Sequence, residues 1–110
     1  MDEPYRPFAL RVMAEHHGDG LWDTDPDHRE PVDLDDVGLS PGLARRLSDW
    51  NGQYQRTVLT GFEFPSPEAE RQWVQDGLHL AFELQNELPD VEISYDHDGD
   101  HRPMRDRRGP

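Results

Sequence analysis

A chain of 110 residues with 24 acidic against 11 basic side chains, a formal net charge of -13, has the size of one domain with one core and repels nucleic-acid backbones. With no cysteine it excludes a thiolate nucleophile, a cysteine-based zinc or iron site and a disulfide framework. No run approaches the roughly 20 apolar residues that cross a bilayer, and the acidic opening MDEPYRP lacks a leader pattern, so a cytoplasmic location without membrane contact is expected.

Along the chain, FALRVMA at 8–14 predicts a strand with Phe8, Leu10 and Val12 on one face and Arg11 on the other. GDGLWDTDPDHREPVDLDD at 18–36 follows, a dense run of carboxylates broken by Leu21, Trp22 and Val32. Ser40 and Pro41 then start a helix expected over 41–59, whose stripe is Leu43, Leu47, Trp50, Tyr54 and Val58. Gly52 lies well inside it and reads either as drift or as a point of close approach for a second helix. Gly61 breaks the pattern, and an extended piece carries Phe62 and Phe64.

Ser66 and Pro67 repeat the cap-and-proline start, with Glu68 and Glu70 where the helix dipole favours them. This second helix runs to Leu88 on a stripe of Trp73, Gly77, Leu80, Ala81, Leu84 and Leu88. Pro89 and Asp90 stop it, and Val91, Ile93 and Tyr95 alternate as a second strand. The expected fold is α+β, two main helices packed on a small sheet. The strands lie parallel if adjacent, or antiparallel with an added strand drawn from 62–64 or from the acidic stretch. A sheet edge borrowed through a homodimer is the third option. Residues 1–95 form the domain, and 96–110, with Met104 as its one apolar anchor, read as a disordered, flexible tail.

The acidic stretch admits three readings: a solvated loop, a docking surface for a basic protein, or a divalent-metal site. In the docking reading Leu21 and Trp22 supply the apolar contact while Asp23, Asp25, Asp27, Glu30 and Asp33 attract the partner. Trp22 either anchors that interface or pins the loop onto the helices. In the metal reading Asp23, Asp25 and Asp27 alternate like the opening of a calcium loop, but His28 stands where glycine and Leu34 where glutamate belong. Asp96, Asp98 and Asp100 alternate likewise, with Arg107 in the place of the bidentate ligand.

Histidines 16, 17, 28, 79, 97 and 101 show no zinc spacing, and His79 reads as a satisfied or solvent-facing imidazole. Ser40 and Ser66 are explained as caps, no phosphate loop occurs, and the chain has no lysine. Catalysis then falls to an unrecognised carboxylate pair, and no cofactor is expected. The leading expectation is an interaction or regulatory module docking a basic partner; an inhibitor or immunity-like protein would have this character, and so would a passive solubilising surface. A carboxylate metal-binding protein and a small acid–base enzyme are the alternatives.

GLWD after the first strand, then VGLSPGLARRLSDWNGQYQ, then SPEAERQWVQDGLHLAFELQNELPDVEISY, resemble a set of small, acidic, functionally uncharacterised bacterial proteins of actinobacterial type over residues 8–95. The resemblance implies a bacterial intracellular protein whose segment after Tyr95 is an appendage. It carries no catalytic residue or ligand with it.

Overall fold

Alternation in FALRVMA builds β1 (Ala9–Val12), where Leu10 and Val12 are fully buried and Ala9 and Arg11 only partly. The computed structural model describes residues 7–15, 18–25, 31–61 and 63–107. β2 (Leu21–Asp23) lies antiparallel on one side of β1 and β3 (Glu92–Ser94) parallel on the other, giving a three-stranded sheet of order β2-β1-β3. The acidic stretch therefore supplies the added strand, and the sheet assembles within one chain. Phe64 instead packs its ring 5.1 Å from that of Trp73, and Phe62 lies outside the described residues. Phe8 does not join the inward face: it sits at a bend before the first paired residue and is 77% exposed.

α1 (Pro41–Arg56) and α2 (Pro67–Glu87) start as their serines direct, with Ser40 Oγ accepting from Leu43 N and Ser66 Oγ from Ala69 N. They run antiparallel. Ser40 donates from both N and Oγ to Glu87, at 2.8 and 2.6 Å, and Arg46 donates twice to Glu83, at 2.7 and 3.1 Å. The Ser40 bonds hold the Glu87 carboxyl below the usual carboxylate range.

The α1 stripe is buried at Leu43, Leu47 and Trp50, half-buried at Tyr54, and lost at Val58, which is 52% exposed. After Arg56 the chain tightens into a 3-10 turn (Thr57–Thr60), and three residues per turn rotate Thr57 inward and Val58 outward. The α2 stripe holds through Leu84, and Leu88 is half-buried. Gly77, not Gly52, is the close-approach position. A Cβ on Gly77 would stand 2.6 Å from both Trp50 Cζ2 and Tyr95 Oη, whereas one on Gly52 meets only Arg56 Nη1 at 3.6 Å.

The outer edge of β3 is closed by side chains. Gln85 Nε2 donates to Val91 O, Gln85 Oε1 accepts from Ile93 N, and Arg107 Nη1 donates to Tyr95 O. Beyond Tyr95 the described chain continues to Arg107, with a 3-10 turn (Met104–Asp106) that buries Met104 to 1% exposure. Met104 is thus an anchor in fact, and its turn rests on β3 and α2. Residues 108–110 lie outside the described residues.

Candidate partner-binding surface

Three apolar side chains anchor the described ends of the acidic stretch on either side of residues 26–30. Leu21, Val32 and Leu34 are all in the core, at 0%, 7% and 6% exposure. Val32 N donates to Leu21 O at 2.9 Å and Trp22 bridges to Pro31, so the returning chain covers the outer edge of β2. Asp33 then caps a short 3-10 turn (Leu34–Asp36), its Oδ1 accepting from Asp35 N at 3.0 Å. A helix face holds the near end: buried Asn51 accepts from Glu15 N and donates to Gly18 O, joined there by Gln55 Nε2.

The residues expected to meet a partner therefore divide. Leu21 is fully buried and Asp23 is 1% exposed, because both share the inward phase of β2; neither presents its side chain to a partner. Asp23 Oδ1 accepts from Asp25 N at 2.8 Å, turning the chain after the strand. Trp22, on the opposite phase, is half-buried on the outer sheet face opposite Arg11. Asp25 is half-exposed and Asp33 exposed, with Asp35 and Asp36 exposed beside it. Asp27 and Glu30 lie outside the described residues.

The second run of aspartates is partnered by arginine. Arg107, its side chain 8% exposed, pairs with Asp98 and Asp100, and Arg102 Nη2 meets Asp100 Oδ2 at 2.7 Å. The Arg102 hydrogen bonds hold Asp100 well below the usual carboxylate range. Asp96 faces Arg11 at 3.9 Å and His101 at 3.5 Å. The guanidinium of Arg107 thus neutralises two of these three aspartates. Among the described residues no three histidine, aspartate or glutamate side chains converge to hold a cation. His79 is exposed on α2, and His16, His17 and His28 lie outside the described residues.

An aromatic cluster sits behind these surfaces, and sequence reasoning missed one of its members. Trp50 and Trp73 stack with centroids 4.6 Å apart. His97 meets both edge-on at 5.9 and 5.0 Å, and its Nε2 accepts from Ala14 N at 3.2 Å. That bond requires the neutral imidazole, and burial lowers the His97 pKa accordingly. Tyr95 donates its hydroxyl to Val74 O at 2.7 Å, and burial pushes its own pKa up. His97 carries no periodic signal; its position two residues past Tyr95, the last residue of the expected strand, is the one feature that could have marked it. The Ser40 and Ser66 hydroxyls, by contrast, are committed to helix caps.

Among the described residues no helix is long and apolar enough to cross a membrane. No curated protein matches the chain. A family model described as Serratia CdiI immunity protein-like matches residues 9–98, from the first residue of β1 through both helices and β3 to Asp98, beyond the half-buried imidazole of His97. That span takes in every element of the sheet and both helices, and the chain belongs to the Serratia CdiI immunity protein-like family.

Proposed function

We propose that the chain is an immunity-type interaction protein that docks a basic protein partner through the outward side of the acidic stretch, with Trp22 as the apolar anchor and Asp25, Asp27, Glu30 and Asp33 as the carboxylates that attract the partner. Immunity is a binding function, and family membership supports a partner-engaging role without catalysis. The observation that carries the surface assignment is the inward burial of Leu21, Val32 and Leu34, which leaves Trp22 and exposed carboxylates on a held support. Concentrated carboxylates speed encounter with a positive surface, while a desolvated aromatic supplies affinity. Leu21 and Asp23 act from beneath, fixing the strand.

An untargeted pull-down from the native host at about 0.15 M salt tests this, using the wild type, Trp22→Ala, and Asp25→Asn with Asp27→Asn and Asp33→Asn combined. The expected result is one basic partner retained by the wild type and depleted by both variants. Equal recovery by all three would remove this surface from the mechanism.

A further inference from the structure

An open groove of about 580 Å³ lies where the end of α1 faces the start of α2. Tyr54, Phe64, Trp73 and His97 line it, together with Glu63 and Glu70. The rings are already assembled around Trp73, whose centroid lies 6.0 Å from Tyr54, 5.1 Å from Phe64 and 5.0 Å from His97. Trp73 itself is 4% exposed, so the accessible aromatic surface belongs to the half-buried Tyr54, Phe64 and His97.

Carboxylates border these rings, and Arg56 shares the adjoining cavity with Glu63 and Phe64. Glu68 is paired with Arg71 at 3.6 Å, but neither Glu63 nor Glu70 forms an ion pair among the described residues. The α2 N-terminus adds roughly half a positive elementary charge. The two lining carboxylates without an ion pair, Glu63 and Glu70, outweigh it. His97, held neutral by burial and by its bond from Ala14, contributes no opposing charge.

Aromatic faces beside free carboxylates suit a cation that is planar and weakly hydrated. A guanidinium lays its face on a ring and directs N–H groups at carboxylates in the same plane. An ammonium is compact and more strongly hydrated, and gains less. We propose that this groove receives one arginine side chain of the protein partner, stacked on the Tyr54 and Phe64 rings and paired with Glu63 and Glu70. This rests on the partner-binding reading above but assigns a separate surface and a defined contact.

The probe is the peptide acetyl-Gly-Arg-Gly-amide, titrated into the full chain and followed by aromatic proton–carbon NMR, with the lysine peptide alongside. Saturable shifts at Tyr54, Phe64 and His97, several-fold weaker for lysine, are expected. They should weaken several-fold in a Glu63→Gln, Glu70→Gln double variant whose unfolding temperature is unchanged; both positions are exposed, so this variant folds. Shifts confined to Trp22 and the acidic stretch, shifts unaffected by the double variant, or equal affinity for both peptides would overturn the proposal. Silence in the groove, with partner capture still lost in Trp22→Ala, would strike the groove alone. Groove shifts with capture unaffected by Trp22→Ala would strike the acidic surface and leave the groove standing.

Discussion

Trp50 and Trp73 donate their indole N–H groups to each other's backbone carbonyls, at 2.8 and 3.0 Å, while their rings lie 6° from parallel. Each accepting carbonyl belongs to a helix interior, so α1 and α2 are fastened side chain to backbone in both directions. Offset stacking adds to the buried area.

The pair should therefore behave as one unit. Trp50→Phe and Trp73→Phe each lose a hydrogen bond and part of a ring, a destabilisation on the order of 1–3 kcal/mol. In urea unfolding the double variant should lose less than the sum, by about 0.5 kcal/mol or more. Additive losses would show that the two indoles act independently.

Gly52 and Gly77 should respond with opposite sign to alanine. At Gly77 the added methyl collides with Trp50 and the Tyr95 hydroxyl at 2.6 Å, an overpacking cost of about 1–3 kcal/mol that exceeds the helix-propensity gain of up to about 1 kcal/mol. At Gly52 the space is open, so Gly52→Ala should stabilise by about 0.5–1 kcal/mol. Urea midpoints read both, and a stabilising Gly77→Ala would contradict the packing described.

His97 should make the fold acid-sensitive before the carboxylates titrate. Burial lowers its pKa in the folded protein and outweighs the raising effect of Asp96 and Asp98. The unfolded chain binds the proton at the ordinary histidine value of about 6.5. Stability from the neutral ring is thus complete above that value, declines as pH falls through it, and levels off below the folded pKa. Unfolding free energy measured between about pH 7 and pH 5 should fall more steeply for the wild type than for His97→Gln. Parallel curves would remove His97 as the cause.

The segment after Tyr95 should loosen locally when its anchor is cut. Met104 is buried and Arg107 ties Tyr95 O to Asp98, so Met104→Ala should raise picosecond-to-nanosecond amide motion over 96–107 while α2 keeps its order parameters. High mobility over 96–107 already in the wild type would mean that these contacts contribute nothing to stability.

Local chemistry made part of this molecule legible in the sequence. Ser40-Pro41 and Ser66-Pro67 mark both helix starts because the cap and the fixed proline φ act within one turn. The 3.6-residue stripes of both helices, and the alternation of Leu10 with Val12 and of Ile93 with Tyr95, place most of the core. An interaction module is likewise the leading expectation from charge and aromatic content, while its immunity-type family comes only from comparison.

The rest was decided by tertiary contact. A three-residue strand has two equally allowed phases, and only pairing with β1 turned Leu21 and Asp23 inward and Trp22 outward. Asn51 reads as a polar interruption of a helix until it meets the Glu15 and Gly18 backbone, more than thirty residues away in sequence. Gly77 differs from Gly52 only in having a tryptophan and a tyrosine hydroxyl above it. Met104 and Arg107 gain their partners only because β3 leaves an edge that a side chain can close. In each case the deciding energy comes from groups distant in sequence, which no local pattern encodes.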